Sequence, residues 1–466
     1  MPDEPEAVAI NAWTGTAGAA GQLDAHAGKW AVQSHLQKYP QDLAAPEPVD
    51  FRNWRHPDVG WGIVLPDSDA VSKIDRANAV DAPALIKTLL AARPGSPVFR
   101  YRADVLSGFL RRYYADGSEK DTAFSAPDRG IGDKKLPWYM LIVGTPAEIP
   151  WRVQYLLNLS CFTGRLDLDE DARARYVGAL VNDWKDSAVS SNRSVVWAVD
   201  QGQPDITWLM RGAIADPLAA KLRCDSQIGD KMTYLAGAMA TASGLIAAVK
   251  KAQPAFIVTT SHGLTAPISD PAAMRKQLGL LVDGLGARVT PEALLDGWQP
   301  DGVIWYAHAC CSAGSDTGTS YRGLVKAGSS VEQTLEAVGA LEAGVAPLPK
   351  ALLGATKPAR AFVGQVEPTF NYTLRNPENK QVLTTSLQKA LYNRMFRKEP
   401  DPVGMALANC YQHVGELFGQ WQELVRDVGR AVAGAREAAL RAQLMAIDRQ
   451  SMVILGDPTA VLPPLT

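Results

Sequence analysis

Runs of apolar residues alternate with helix-like periodic stretches along most of this chain. Continuous apolar runs closed by turn residues are typical of strands that are buried on both faces. Such runs predict strands at residues 98–101, 138–144, 194–199, 255–260, 302–307, 359–364 and 452–455. The periodic stretches predict helices at residues 206–222, 235–251 and 290–297, near 386–396 and within 403–448. Strands that alternate with helices predict an α/β fold with a mostly parallel sheet.

The first 95 residues do not show this alternation. They are rich in Ala, Pro and Asp, with tryptophans at positions 13, 30, 54 and 61. Only a short apolar piece at 62–65 and a helix at 82–92 can be placed, so we predict that this segment lies outside the sheet. A polar, glycine-rich stretch at 115–135 predicts an exposed loop.

Composition narrows the class of protein. A length of 466 residues predicts two or three compact units, and 47% apolar with 21% charged residues is an ordinary globular balance. A net charge of −2 gives no basic footprint for nucleic acid. The acidic N-terminus lacks the pattern of a signal peptide, and no apolar window is long enough to span a bilayer. Five cysteines do not form a disulfide framework, so we expect a cytoplasmic protein.

Two predicted strands end in residues that carry chemistry. The run AFIVTT leads into Ser261, His262 and Gly263, and the run GVIWYA leads into His308, Ala309, Cys310 and Cys311. In open parallel sheets, sites form beyond the carboxyl ends of the strands. Consecutive strands are usually neighbours, so we expect His262 and the cysteines to meet.

A histidine beside a thiol predicts nucleophilic catalysis. Imidazole can accept the thiol proton and so produce the reactive thiolate. The small Gly263 lets the backbone approach a bound carbonyl, and its N–H is a candidate oxyanion donor. A metal site at His308, Cys310 and Cys311 is not favoured, because neighbouring strand side chains face opposite ways and no fourth ligand is spaced for zinc. We therefore expect no metal and no cofactor.

Five sequence pieces resemble clan CD cysteine peptidases, the caspase-like and gingipain-like group that includes CHAT-related proteins. TTSHG (259–263) is similar to their histidine strand and HAC (308–310) to the Gln-Ala-Cys of caspases. LIVGTPAEIPWRVQY (141–155), RAFVGQVEP (360–368) and ILGDPTAVLP (454–463) resemble gingipains. The resemblance implies a caspase-hemoglobinase-like sheet flanked by helices, with an accessory α/β subdomain. It divides the chain into residues 1–95 of unclear fold, an accessory part at 96–225 and a catalytic part at 226–466.

The doubled cysteine leaves two candidate nucleophiles. The Ala-Cys ending favours Cys310, whereas the spacing of Cys311 to Gly314 is similar to metacaspases; we assign Cys310 as the nucleophile and Cys311 as the alternative. Consecutive side chains on a strand alternate faces, so only one of the two cysteines faces His262; we expect this to be Cys310, with a depressed pKa, and Cys311 to be its buried, unreactive neighbour. Related peptidases use charged pockets to select the residue before the cleaved bond, so Asp270, Asp316 and His308 are candidate substrate-binding residues; each aspartate also has the simpler interpretation of a solvated loop residue.

The leading hypothesis is a cysteine endopeptidase that cleaves protein substrates and is held inactive until a partner or signal arrives. The resemblance to this family also implies a role in bacterial defence or cell death. The alternative is a non-catalytic, caspase-like interaction module, whose signature would be the loss of one dyad member. An α/β-hydrolase is excluded because no Gly-x-Ser-x-Gly elbow is present.

Overall fold

The chain divides into two compact units, Met1–Asp50 and Phe51–Thr466. The computed structural model describes residues 7–13, 18–22, 49–103, 108–376 and 379–465. In the first unit, β1 (Ala7–Trp13) and β2 (Gly18–Gln22) form an antiparallel pair. Trp30 of the N-terminal segment lies outside the described residues.

The second unit is built on one twelve-stranded sheet and two small hairpins. Its strands are β3 (Trp61–Pro66), β4 (Val98–Tyr101), β5 (Phe109–Tyr113), β6 (Glu119–Ala123), β7 (Tyr139–Val143), β8 (Phe162–Leu166), β9 (Ser190–Ala198), β10 (Thr233–Ala236), β11 (Pro254–Thr260), β12 (His262–Gly263), β13 (Leu281–Val282), β14 (Ile304–His308), β15 (Gly314–Ser315), β16 (Gly344–Val345), β17 (Ala361–Gln365) and β18 (Met452–Gly456).

Helices connect these strands and flank the sheet. They are α1 (Lys73–Ala77), α2 (Ala84–Ala92), α3 (Trp151–Asn158), α4 (Glu170–Val181), α5 (Ile206–Met210), α6 (Asp216–Cys224), α7 (Ala242–Ala252), α8 (Pro271–Gln277), α9 (Pro291–Leu295), α10 (Ser330–Gly339), α11 (Pro347–Leu353), α12 (Thr385–Gln388), α13 (Val403–Gly429) and α14 (Ala435–Gln450). Two π-helical segments follow α5 and α12, at Arg211–Ala215 and Lys389–Arg394. Short 3₁₀ turns lie at Gly229–Lys231, Gly237–Met239 and Asn371–Thr373.

The large sheet consists of two parallel blocks that run in opposite directions. The order is β10-β9-β11-β14-β17 in the first block and β18-β8-β7-β3-β4 in the second. Strands within each block are parallel, and β17 and β18 pair antiparallel where the blocks meet. The antiparallel strands β5 and β6 complete the edge beside β4. The predicted α/β class, a mostly parallel sheet flanked by helices, is confirmed.

Both blocks wind in the same way. In the first block, β10 lies on one side of β9, and β11, β14 and β17 lie on the other side. In the second block, β4 lies on one side of β3, and β7, β8 and β18 lie on the other side. The direction of winding therefore reverses between β9 and β11 in the first block, and between β3 and β7 in the second. Ligand crevices form at such reversals, beyond the carboxyl ends of the strands. A cavity of about 590 Å³ lies at the ends of β3 and β7, against Pro66 and Gly144.

The apolar runs form strands because both faces of the sheet are covered. Every residue of β7, β11, β14, β17 and β18 is buried. On one face of the first block, Val258, Tyr306 and Val363 pack in a cluster with side chains of α6 and α13. The removal of these apolar side chains from water is the main force that holds the helices to the sheet.

Three sequence-based expectations are wrong in part. The segment 1–95 does not lie wholly outside the sheet, because β3 lies between β7 and β4; its apolar run is too short to be recognised without its partners. The stretch 115–135 is not only a loop, since β6 pairs with β5. Residues 235–251 are not one helix: Gly237, at φ +57°, interrupts the segment, and Thr241 caps α7. The division at residues 95 and 225 stays a prediction.

No helix within the described ranges combines the length and the hydropathy that a membrane span requires.

A buried carboxylate immediately after β18 fastens the end of this strand to β3 and to the end of α2 within the second block. Asp457, which is fully buried, accepts hydrogen bonds from Trp61 Nε1 at 3.0 Å and from Arg93 Nη1 at 3.1 Å. Its amide donates to the Tyr176 hydroxyl at 2.7 Å, and that hydroxyl donates to the Arg360 carbonyl. The carboxylate therefore neutralises a guanidinium that is itself only 6% exposed.

We predict that Asp457→Asn lowers the free energy of unfolding by about 3 kcal/mol, because it leaves the Arg93 cation buried without a counter-charge. Urea unfolding followed by tryptophan fluorescence measures this change. Asp296→Asn, at an exposed helix end, is the matched control and should change stability by less than about 0.5 kcal/mol. Equal stabilities of the two variants would contradict the prediction.

Candidate active site

The carboxyl ends of four neighbouring parallel strands converge at one edge of the first block. Asp205 follows β9, His262 follows β11, Cys310 follows β14 and Thr369 follows β17. As expected from the sequence, β11 and β14 are hydrogen-bonded neighbours, with Thr260 opposite His308. The structure therefore brings the predicted histidine and the predicted cysteines to one place.

His262 is oriented by a carboxylate. It begins the short strand β12, which pairs with β13 as a hairpin that leaves the sheet. The Nε2 atom of His262 lies 3.0 Å from Asp205 Oδ2. The imidazole is 38% exposed, so a substrate can reach it.

Asp205 is held in its ionised form. It caps α5, and its Oδ1 accepts hydrogen bonds from the amide and the hydroxyl of Thr207. Burial acts to raise the pKa of Asp205, but the hydrogen bonds from Thr207 and His262 outweigh it, and the pKa is lowered overall. An ionised carboxylate only accepts hydrogen bonds, so the proton between the two residues belongs to Nε2. Nδ1 of His262 then presents its lone pair as a base.

The hairpin that carries His262 packs directly on the cysteine turn. A Cβ atom at position 263 would overlap the carbonyl oxygen of Cys310, and one at Gly279 would overlap the carbonyl oxygen of Cys311. The two glycines therefore permit a close approach of the two backbones. Gly263 was predicted to approach a bound carbonyl; the structure shows its approach to Cys310 itself. Its role as an oxyanion donor stays a prediction.

The two cysteines lie in a turn and not on the strand, because β14 ends at His308. The expectation that strand alternation separates them is therefore wrong. Cys311 has φ +54° and is fully buried among Met274, Leu278 and Val338. Cys310 is only partly buried, and its Sγ accepts a hydrogen bond from the Thr369 amide at 3.3 Å. The turn therefore places the Cys311 thiol in an apolar cluster and leaves Cys310 only partly buried.

The resting Cys310 thiol is not activated. Burial raises its pKa, although hydrogen bonds from the Thr369 amide and hydroxyl act in the opposite direction. Burial raises the pKa of Cys311 much further, to well above its usual range. The expectation of a depressed pKa is thus wrong for the free protein. The physical reason is that the surrounding side chains exclude water from the sulfur, and the carboxyl of Asp448 also acts against the thiolate.

A cleft of about 820 Å³ lies beside these residues, and Asp205, His262 and Thr369 line it. Cys310 does not line the cleft itself; its sulfur lies behind Thr369, whose amide donates a hydrogen bond to it. Trp208 and Phe370 add apolar walls. The cleft lies at the reversal of winding between β9 and β11, where a ligand crevice is expected.

The three predicted substrate-binding residues do not line this cleft. Asp270 caps α8 through the Ala273 amide and is exposed, which agrees with its simpler interpretation. Asp316 is half-buried, and burial raises its pKa although Arg165 acts to lower it. His308 is buried, lines a separate pocket, and contacts the Tyr306 hydroxyl through Nδ1 at 2.9 Å. Burial lowers the pKa of His308 to about 4, so it is a neutral imidazole.

Sequence reasoning missed Asp205 and Thr369. Asp205 follows β9 by seven residues, so the rule that identified His262 and Cys310 would also have found it. Thr369 follows the RAFVGQVEP motif, and only the pairing of β14 with β17 shows which strand end it approaches.

Buried carboxyl groups support the segment that contains Thr369. Asp448 accepts hydrogen bonds from the Phe370 amide at 3.3 Å and from the Thr373 hydroxyl at 2.5 Å. Burial raises the pKa of Asp448 to about 7. Glu367 accepts hydrogen bonds from the amide and hydroxyl of Ser320. The segment after β17 is therefore fixed on both sides of the cysteine contact.

No group of three or more His, Cys, Asp or Glu side chains among the described residues could hold a metal ion. His308 faces its own pocket, and Cys311 packs in an apolar cluster. Cys310, His262 and Asp205 offer a thiol, an imidazole and a carboxylate at this edge of the sheet.

Comparisons with known proteins give little further information. No protein-family model matches the chain, and no curated protein is significantly similar to it. Among solved structures, the separase–securin complex of Saccharomyces cerevisiae, determined at 3.0 Å, is similar over 75% of this chain, with 10% sequence identity and a TM-score of 0.35. The match covers 16% of that separase–securin chain. At this level of similarity, nothing about the function of the present chain follows from the match.

We predict that Gly263→Ala lowers the free energy of unfolding by about 1–3 kcal/mol, because the added methyl group forces the hairpin away from the Cys310 carbonyl. Gly284→Ala, in the loop after β13, meets no atom within 4 Å and is the control. Urea unfolding of both variants measures the difference. A Gly263→Ala protein as stable as Gly284→Ala would show that the hairpin does not rest on the cysteine turn.

We also predict that Cys310 is alkylated by iodoacetamide more slowly than N-acetylcysteine at pH 7. The raised pKa keeps the thiol protonated at this pH, and only the thiolate reacts. The rate should increase with pH beyond about 8.5, the ordinary pKa of a cysteine. Peptide mass spectrometry of briefly alkylated protein gives the rate at each cysteine. A fast, pH-independent reaction at Cys310 near pH 7 would indicate a preformed thiolate and would contradict this prediction.

Proposed function

We propose that this protein is a cysteine endopeptidase with Cys310 as nucleophile, His262 as general base and Asp205 as the residue that orients the histidine. The observation that carries the proposal is the hydrogen bond of 3.0 Å between Asp205 and His262, on a hairpin that packs against the Cys310 backbone. An imidazole held by a carboxylate beside a thiol is the arrangement that nucleophilic acyl transfer needs.

In the proposed reaction, Nδ1 of His262 accepts the thiol proton while Cys310 Sγ bonds to the carbonyl carbon of the substrate. The histidine then gives the proton to the departing amine as the C–N bond breaks, which leaves a thioester. A water molecule attacks the thioester, His262 accepts its proton, and the thiol leaves with that proton. Because the resting thiol is protonated, the base acts during the attack and not before it.

The class of substrate and the regulation of the activity are proposed from the resemblance to clan CD peptidases. We propose that protein substrates bind in the 820 Å³ cleft, which has room for several side chains. We also propose that the protein belongs to the gingipain-like or CHAT-related group. It would lie in the cytoplasm and be activated by a partner or a signal. The residue preferred before the cleaved bond is left open, since Asp270, Asp316 and His308 lie outside the cleft.

One observation favours a second candidate, a non-catalytic interaction module on the same fold. The Cys310 thiol accepts a hydrogen bond from Thr369, packs beside a buried apolar cluster and has a raised pKa. A cysteine in these surroundings can be purely structural. The two functions differ in whether a substrate-like electrophile reacts with this sulfur.

We predict that peptidyl acyloxymethyl ketones carrying Arg, Lys or Asp label the wild-type protein at Cys310, with one of the three preferred. Cys310→Ala should abolish labelling. His262→Ala should slow it by about 10²–10⁴-fold, because the general base is lost. Asp205→Asn should slow it to a smaller degree, since the base remains. Mass spectrometry locates the label, and circular dichroism checks that each variant is folded.

Cys311→Ala is the matched control, because it removes a buried thiol one residue away and should leave labelling nearly unchanged. A label on Cys311 with Cys310 untouched would reverse the assignment of the nucleophile. Absence of labelling by all three probes in folded wild-type protein would favour the interaction module.

A further inference from the structure

A serine, a histidine and a glutamate that do not line the cleft form a second chain of hydrogen bonds. Ser386 lies in α12, and His413 and Glu416 lie on α13. Ser386 Oγ is 3.0 Å from His413 Nε2, and His413 Nδ1 is 2.9 Å from Glu416 Oε2. A carboxylate only accepts hydrogen bonds, so Nδ1 carries the proton and the Nε2 lone pair faces the serine hydroxyl.

These contacts have the geometry of a nucleophile, a base and an orienting acid. Hydroxyl and imidazole lie within hydrogen-bond distance, and a third group fixes the tautomer of the imidazole, as nucleophilic catalysis requires. Ser386 and His413 are both only partly buried, so a small substrate can reach them. Glu416 is largely exposed, which weakens its hold on His413 compared with a buried acid.

A small pocket begins at this pair and runs inward to the sheet. Ser386 and His413 line it together with the apolar side chains of Leu383, Leu387 and Met452. Its volume is about 60 Å³, less than a tenth of the roughly 820 Å³ of the cleft. A pocket this small favours a short acyl group over a long chain.

The inner end of the pocket holds a polar atom without a partner. His308, only 5% exposed, lines this end, and its Nε2 makes no hydrogen bond among the described residues. A buried ring nitrogen without a partner is unfavourable by about 1–3 kcal/mol. A bound molecule with a polar atom at this depth would remove that penalty, which indicates that the pocket accommodates a ligand.

We propose that Ser386, His413 and Glu416 form a second acyl-transfer site that takes esters of short carboxylic acids, with the acyl group in the His308 pocket. His413 Nε2 accepts the serine proton as Oγ bonds to the ester carbonyl carbon. The C–O bond to the alcohol breaks, and the alcohol leaves with that proton. Water then hydrolyses the acyl-serine, again with His413 as base, and releases the acid. Ser386 and His413 are the catalytic residues, and Glu416 is a positioning residue.

The test uses the full-length Cys310→Ala protein, so that no reaction of the Cys310 thiol contributes. A fluorophosphonate probe should label Ser386, as located by peptide mass spectrometry. p-Nitrophenyl acetate should be hydrolysed at least 10-fold faster than p-nitrophenyl octanoate, because the pocket excludes the longer chain. Adding Ser386→Ala should abolish both reactions, and adding His413→Gln should slow acetate hydrolysis by about 10²–10⁴-fold.

Two further variants separate chemistry from structure. Thr385→Ala removes the exposed hydroxyl next to Ser386 and should leave both reactions unchanged. Glu416→Gln should lower kcat for the acetate ester with KM and melting temperature unchanged, which a general loss of structure would not do. Hydrolysis rates that are equal in the Ser386→Ala and Thr385→Ala proteins, or a fluorophosphonate label that is absent from Ser386, would overturn the proposal.

Discussion

The antiparallel contact between β17 and β18 is the constraint on which the arrangement of the large unit depends. Two parallel blocks with the same winding meet there, so their carboxyl ends lie at opposite edges of one sheet. Strand ends of the first block supply all four residues of the candidate site. The cavity beside Pro66 and Gly144 belongs to the second block and lies at the other edge. The Tyr176 hydroxyl supports this contact, since it accepts a hydrogen bond from the Asp457 amide just after β18 and donates one to the Arg360 carbonyl just before β17.

Backbone packing, more than charge, determines the state of the cysteine. The β12–β13 hairpin and the segment after β17 enclose the Cys310 turn, and the exclusion of water raises the pKa of its thiol. A thiol in such surroundings is protected from oxidation and adventitious reaction, since reactivity follows the thiolate. In the reaction proposed above, proton transfer depends on His262, which Asp205 holds by a hydrogen bond of 3.0 Å.

Polar groups buried beneath the cleft connect the two proposed sites. His308 precedes Cys310 by two residues, yet its ring lies in the pocket that begins at Ser386. Asp448 lines the same pocket and also holds the segment whose Thr369 contacts the Cys310 sulfur. Buried polar groups of this kind are stabilising only when their hydrogen bonds are satisfied. A ligand that pairs with His308 would thus also contact the support of the cysteine.

The sequence by itself determined the fold class, the central strands and the meeting of His262 with Cys310, because buried strands have continuous apolar runs and parallel strands end at one edge. It did not reveal β8, whose FTGRL sequence includes a buried arginine, or the place of β3, since pairing between distant segments leaves no local pattern. Only the tertiary structure decided which acid faces His262 and how the cysteines are exposed. Those properties depend on the turn after His308, on the packing of Gly263, and on water exclusion by segments far apart in the chain.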